Sequence, residues 1–276
     1  GLEGKPPFHE AICASRRLDR LGEAELRKIH AVYLGMVSYA DWLLGQLLDA
    51  VDRAGHSEDT AVIFCSDHGE WAGDYGLVEK WSSAMDDVLL RVPLIVRMPG
   101  GAKGHIVEEM VELHDVMATC LEIAGIEVQH THFARSLVPQ IQGQPSDPRG
   151  NAVSEAAFSE GGYGIHEPHC FEPLELFDPA HIYYPKVHLE NTRPELISRT
   201  AMIRTPEFKL ALRPEGESEL YDLRADPLEL YNVFGDSAYA SQRESLLLRL
   251  LYWYVHTSDV VPWERDSRAL PPCPAG

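Results

Sequence analysis

The longest amphipathic pattern in the chain predicts a helix over residues 23–54. Apolar residues recur there at steps of three and four positions, as they do along one face of a helix. Acidic residues in the first turn suit the positive end of a helix dipole, and Gly55 supplies a C-terminal stop. We expect the apolar stripe of this helix to be part of a core. Residues 1–22 have no comparable pattern and are predicted to be irregular.

Two short apolar runs, at residues 61–65 and 92–98, predict buried strands. Proline and two glycines close the second run. Residues 111–124 predict a further helix, which ends at Gly125. Helices and strands that alternate in this order are typical of an α/β fold with a mostly parallel sheet and flanking helices. We therefore expect the two strands to run parallel.

The pattern changes after residues 139–150, where Pro, Gly, Gln and Ser indicate a boundary. Beyond it the sequence predicts three strands and one helix, over residues 151–158, 201–213, 219–223 and 241–257. Such a set of elements favours a small α+β subdomain with an antiparallel sheet and one helix. The predicted division is residues 1–145 for the α/β part and residues 146–276 for the subdomain.

The composition and charge of the chain exclude some classes of partner but say little about the fold. With 276 residues, 45% hydrophobic and 24% charged, the chain has the make-up of a globular protein. No apolar run reaches the ~18–20 residues that a membrane span needs. A formal net charge of −19 argues against nucleic acid and anionic membranes as partners. Five widely spaced cysteines without a C-x-x-C pair predict neither a disulfide scaffold nor a zinc knuckle.

Candidate chemistry lies at the end of the first predicted strand. Asp67 and His68 follow that strand directly, and a glycine-punctuated loop leads from them to Lys80. Open α/β sheets bind ligands at the carboxyl ends of their strands. A carboxylate, an imidazole and an ammonium group can together bind a metal ion and a multiply charged oxyanion. An Asp-His pair at a strand end is also common as a turn and cap, and a lone lysine is commonly a solvated surface residue.

Three stretches together resemble the sulfatase branch of the alkaline-phosphatase-like superfamily. They are Phe-Cys-Ser-Asp-His-Gly-Glu at 64–70 with Gly-Asp-Tyr-Gly-Leu at 73–77 and Lys80, Arg-Val-Pro-Leu-Ile-Val-Arg-Met-Pro-Gly at 91–100, and Met-Ile-Arg-Thr-Pro-Glu-Phe-Lys at 202–209 with Glu-Leu-Tyr-Asp-Leu-Arg-Ala-Asp-Pro at 219–227. They occur in family order and extend over most of the chain. The Ser-Asp-His-Gly motif alone would be weak, whereas the ordered set is specific.

The resemblance implies a metal-assisted sulfuric ester hydrolase. In such enzymes a Cys or Ser in a Cys/Ser-x-Pro-Ser-Arg motif is oxidised to formylglycine, which attacks sulfur. The family's divalent cation, most often Ca²⁺, has an early acidic pair and a late Asp-Asn or Asp-His pair as ligands. That late pair matches Asp67 and His68, whose donor types also admit Mn²⁺ or Mg²⁺. The family's late lysine, which binds the sulfate group and acts in catalysis, matches Lys80.

The departures from the family pattern define the alternatives. No Cys/Ser-x-Pro-Ser-Arg motif occurs in the chain, which therefore resembles the C-terminal half of a sulfatase. The chain begins without Met or a signal segment, so we expect it to be part of a longer protein whose location is not readable here. Alone it should be inactive. The expected substrate is a small-molecule or glycan sulfate ester. A phosphonate monoester or phosphodiester hydrolase of the same superfamily, or an inactive truncated protein, stays open as an alternative.

Overall fold

Two antiparallel sheets and the helices around them make up the described part of this computed structural model, residues 2, 4–128, 130–145, 155–167 and 170–258. The helices are α1 (Pro7–Arg16), α2 (Glu23–Arg53), α3 (Asp87–Leu90), α4 (Asp115–Ile123), α5 (Val138–Ile141), α6 (Tyr184–Thr192) and α7 (Ala240–Thr257). The strands are β1 (Val62–Cys65), β2 (Leu94–Arg97), β3 (Ala157–Gly161), β4 (Thr200–Arg204), β5 (Phe208–Leu212) and β6 (Glu219–Asp222). The α/β class is thereby confirmed, together with the C-terminal antiparallel sheet and its packed helix.

Strands β1 and β2 pair antiparallel, with Val62 opposite Arg97. The prediction that these two strands run parallel is therefore wrong. The backbone N–H of Gly69 donates to the carbonyl of Leu89 at 2.7 Å, so the connection returns to the end of the sheet that it left. A chain that re-enters a sheet at the same end must run in the opposite direction, whereas a parallel pair needs a crossover to the far end.

Helix α2 forms at nearly the predicted bounds, but its apolar stripe is not part of a core. None of its residues is buried. Its large exposed apolar side chains are Val32, Leu34, Met36, Val37, Tyr39, Trp42, Leu43 and Leu47. A helical period reports that one face is apolar, but the burial of that face depends on an element that packs against it. Within the described ranges, no helix is both long and apolar enough to cross a membrane.

Helix α1 replaces the irregular start that the sequence predicted. Its first residue is Pro7, a position that tolerates proline because no intrahelical donor is needed there. Phe8 and Ile12, one turn apart, are each only 3% exposed. They join a core that includes Trp71 and Trp81, from the connection between β1 and β2. This contact joins the start of the chain to the loop that carries Lys80.

The second sheet has the order β3-β4-β5-β6, and all its neighbours are antiparallel. The single strand predicted over 201–213 is in fact two strands, β4 and β5. They reverse at Thr205, whose hydroxyl accepts from the N–H of Phe208 at 3.0 Å. The predicted hairpin between β5 and β6 and the final helix are confirmed, and Leu246 and Leu250 of α7 pack on this sheet.

Strand β3 begins near the end of the segment predicted as a strand over 151–158, of which residues 151–154 lie outside the described ranges. The region between β3 and β4, predicted as a long loop, also contains helix α6. The division of the chain at residues 145 and 146 stays a prediction.

Candidate active site

The end of β1 places Asp67 and His68 side by side in a tight turn. The hydroxyl of Ser66 donates to the carbonyl of His68 at 2.8 Å, and the N–H of His68 donates to Asp67 Oδ1 at 2.9 Å. These contacts stop β1 after Cys65 and turn the backbone away from the sheet. The two side chains remain largely exposed, at 86% for Asp67 and 43% for His68.

A hydrogen bond fixes which nitrogen of His68 can bind a cation. Its Nδ1 lies 2.8 Å from the carbonyl oxygen of Gly69, which only accepts, so Nδ1 must carry the proton. In the neutral ring Nε2 then has the free lone pair, an arrangement common among metal-binding histidines. Nε2 lies 3.6 Å from Asp67 Oδ2, so both atoms can reach one ion. This donor set fits a divalent cation.

The charge state of Asp67 also favours the binding of a cation. The hydrogen bond from the N–H of His68 is the main cause that lowers the pKa of Asp67. Lys80 contributes a smaller lowering of the same pKa. Asp67 is therefore ionised at neutral pH.

Lys80 is exposed, but the residues on either side of it are fixed to other elements. The N–H of Trp71 donates to the carbonyl of Glu79 at 3.1 Å and closes the loop between them. Trp81 follows, with its indole N–H donating to the carbonyl of Leu196 at 2.7 Å. The lysine stem can therefore move while its backbone position is constrained from both sides.

Asp67 and His68 line a cleft of about 890 Å³. Lys80 is not among the residues that line it. Other polar or aromatic residues of its walls are Asp87, Arg91, Glu108, Glu109, Glu112, His114, Phe158, Ser159, Glu160, Arg204 and Trp253. Several come from the C-terminal sheet and α7, so both parts of the chain form the cleft. Sequence reasoning did not assign these residues to the site, because they lie far apart in the chain and come together only in the fold.

One further group of metal-ligating side chains occurs among the described residues, namely Glu112, His114 and Asp115. Its carboxylates already accept backbone hydrogen bonds. Asp115 accepts from the N–H of Glu112 at 3.1 Å and of Arg135 at 2.8 Å, and Glu112 accepts from the N–H of Phe158 at 2.7 Å. Asp115 is fully buried at the start of α4, which agrees with a structural role.

Comparison with known proteins places these observations in a family. Residues 6–126, which contain Asp67, His68 and Lys80, match the family model "Sulfatase". The multifunctional alkaline phosphatase superfamily protein PehA of Trinickia caryophylli is 29% identical over 91% of this chain and 45% of its own length. The N-acetylglucosamine-6-O-sulfatase of Bacteroides thetaiotaomicron is 27% identical over 94% of this chain and 42% of its own.

A solved structure extends the similarity to the fold. The phosphonate monoester hydrolase of Agrobacterium radiobacter is 30% identical and superposes with a TM-score of 0.69, over 84% of this chain and 42% of that protein. The chain thus spans less than half the length of each of these three relatives. The family match, the similarity over most of the chain and the shared fold lead to one conclusion: residues 6–126 are a sulfatase-family segment, and the chain as a whole is similar to sulfatases and related hydrolases of the alkaline-phosphatase-like fold.

Proposed function

We propose that the complete protein hydrolyses a sulfate ester, with Asp67 and His68 as ligands of a divalent cation and Lys80 as the cation that binds the sulfate group. The observation that carries this proposal is the geometry of the Asp67–His68 pair. Asp67 Oδ2 and His68 Nε2, the two atoms available to a cation, lie 3.6 Å apart, and both residues line the cleft.

The proposed roles follow from the charge that sulfuryl transfer moves onto oxygen. A bound divalent cation supplies positive charge to the sulfate oxygens and neutralises the charge that develops there. Lys80 adds a mobile ammonium group that can follow the sulfate and stabilise the leaving oxygen. Asp67, ionised at neutral pH, keeps the site attractive to a cation even though the sulfate itself is an anion.

We propose Ca²⁺ as the cation, with Mn²⁺ or Mg²⁺ as alternatives. Carboxylate oxygen is the donor that hard cations prefer, and one imidazole is compatible with all three. Ca²⁺ takes about six to eight ligands, so Asp67 and His68 can supply only part of its coordination shell. The nucleophile and the remaining ligands would come from residues other than those of this chain, which contains no Cys/Ser-x-Pro-Ser-Arg motif.

The proposed substrate is a small-molecule or glycan sulfate ester. The cleft volume of about 890 Å³ is in the range of sites that take a ligand the size of a sugar or a drug. Relatives with similar sequences include a sulfatase named for N-acetylglucosamine 6-O-sulfate and one named for choline sulfate. These two names cover a glycan and a small-molecule ester, and the cleft is compatible with both.

Similarity to the phosphonate monoester hydrolase supports a second candidate, hydrolysis of a phosphonate monoester or phosphodiester. The same metal pair and lysine suit a phosphoryl centre, because charge also develops on oxygen there. The two candidates therefore differ in the preferred reacting centre and share the site residues.

The test is hydrolysis by the complete protein, purified with Ca²⁺, of four substrates: an aryl sulfate, N-acetylglucosamine 6-sulfate, choline sulfate and a phenyl phosphonate ester. We expect the highest kcat/KM on one of the sulfates and a loss of turnover with a chelator. A clear preference for the phosphonate would select the second candidate, and no turnover on any of the four would contradict both. The 276-residue chain by itself is expected to be inactive, and turnover by it would contradict a nucleophile outside this chain.

A further inference from the structure

Asp86 joins the start of the chain to the loop after β1. Its carboxylate accepts from Lys5 Nζ at 2.9 Å and His9 Nε2 at 3.1 Å, and from the indole N–H of Trp71 at 3.2 Å. Lys5 and His9 have fully buried side chains, and Asp86 is 2% exposed. We name these four residues the Asp86 cluster. A buried carboxylate with three hydrogen-bond donors has little freedom to move.

Asp87, the next residue, makes the corresponding connection to the C-terminal sheet. Arg204 of β4 contacts both of its carboxylate oxygens, with Nε at 3.0 and 3.2 Å, and Lys209 of β5 lies 3.2 Å from Oδ1. The N–H of Asp87 donates to Glu229 at 2.9 Å, and Glu229 also pairs with Lys209. These four residues are the Asp87 cluster. Two consecutive aspartates are thus fixed from two different sides of the molecule.

The element that these aspartates begin is α3, and α3 contacts the candidate metal ligands through Gly69. The N–H of Gly69 donates to the carbonyl of Leu89. A Cβ atom at Gly69 would lie 1.9 Å from the carbonyl oxygen of Val88, so only glycine permits this approach. Gly69 in turn accepts the hydrogen bond from His68 Nδ1 that sets the free lone pair on Nε2. A shift of α3 would therefore move the backbone of Gly69 and, through it, the ring of His68.

We propose that Asp86 and Asp87 are positioning residues, which fix α3 from two sides and thereby set the orientation of the Asp67–His68 pair. The metal-related part of this inference rests on the proposed function. The part that concerns geometry does not, because it predicts a coupling between the two clusters and the backbone at Gly69. Neither aspartate needs to touch the substrate for this role.

The geometric part is tested by amide hydrogen exchange on two mild variants. Arg204→Gln removes the two-oxygen contact to Asp87, and Trp71→Phe removes one donor from Asp86 while keeping an aromatic ring in the core. Arg224→Gln is the matched control, because Arg224 pairs with Glu207 on the surface, where the side chains are 62% and 53% exposed. A peptide that contains Gly69 reports on the coupling, and a peptide from α7 reports on overall opening.

We expect both variants to speed exchange at Gly69 about tenfold, the scale for weakening one hydrogen bond, with α7 unchanged. The control should leave both peptides as in the wild type. Unchanged exchange at Gly69 in both folded variants would overturn the proposal, as would equal acceleration in α7.

The functional part is tested in the complete protein by the Ca²⁺ concentration that gives half-maximal hydrolysis. We expect Arg204→Gln to raise it at least about tenfold, the scale for losing an outer-shell contact of a metal site, and Arg224→Gln to leave it unchanged. Altered exchange with an unchanged Ca²⁺ requirement would overturn the link to the metal ligands. If the wild type hydrolyses none of the substrates, the proposed function fails, and the exchange result still decides the coupling.

Discussion

Removing the charge of Asp86 should cost this chain a large part of its stability. In Asp86→Asn the amide keeps nearly the same shape, but Lys5 loses the carboxylate that neutralises it. Lys5 and His9 are both fully buried, and they contact no other carboxylate than Asp86 among the ion pairs of the described residues. Water cannot replace the lost charge at such a site without opening the surrounding core.

The expected magnitude follows from this burial. Removing one partner of a buried ion pair leaves an uncompensated charge and costs about 3–5 kcal/mol. Domains typically have an unfolding free energy of about 5–15 kcal/mol, so the loss is a third or more of the total in most cases. An exposed pair contributes only about 0–1 kcal/mol. The chain offers such a pair in Asp59 and His56, 3.0 Å apart with side chains 64% and 60% exposed.

The assay is urea unfolding followed by far-ultraviolet circular dichroism, for the wild type, Asp86→Asn and Asp59→Asn. We expect a loss of about 3–5 kcal/mol for the first variant and a far smaller loss for the second, whose ion pair is solvated. Both replace an aspartate that pairs with a histidine, so the difference reports the effect of burial together with that of the additional buried partner, Lys5. Equal effects in the two variants would refute the reasoning, since they would mean that Lys5 is solvated or re-paired at no cost.

Three further predictions concern turnover, acid and the exposed helix. In the complete protein, Lys80→Ala should lower kcat at least ~100-fold, the scale for losing one electrostatic stabiliser. The exposed control Lys103→Ala should leave kcat unchanged. Unchanged turnover in Lys80→Ala would exclude the proposed role of Lys80. Burial raises the pKa of Asp86, but the charges of His9 and Lys5 outweigh it and lower this pKa below the ordinary 3.8. The unfolded state therefore binds a proton that the folded state does not, so the free energy of unfolding should fall as the pH drops below about 3.8. The fall should be less steep in Asp86→Asn. Urea unfolding that gives the same pH dependence for the variant and the wild type would contradict this. Leu47 is 65% exposed, so Leu47→Glu should change the unfolding free energy by less than about 0.5 kcal/mol. The same variant should bind less of an apolar dye. A large destabilisation would show that this face of α2 is buried.

The candidate site could be located from the sequence because its signals are local. A β-branched run that ends at an Asp-His pair needs only a few neighbouring residues to be recognised, and β1 does end beside Asp67 and His68. The roles of these residues and of Lys80 remain proposals. The cleft walls had no such signal, because Arg204 and Trp253 reach it from elements more than 130 positions along the chain.

The sequence by itself determined the features that depend on short-range periodicity. These include helix α2, the positions of β1 and β2, the hairpin between β5 and β6, and helix α7. The family resemblance was also readable, because it rests on ordered local motifs.

Only the tertiary structure decided the features that depend on distant contacts. The antiparallel direction of β1 and β2, the exposure of the α2 stripe and the formation of α1 were all predicted differently. The ion pair of Lys5 and Asp86 spans 81 positions, and the sequence around either residue contains no signal of the other. Local patterns indicate which side chains are apolar or charged. Whether a side chain is buried or paired depends on the distant residues that pack against it in the fold.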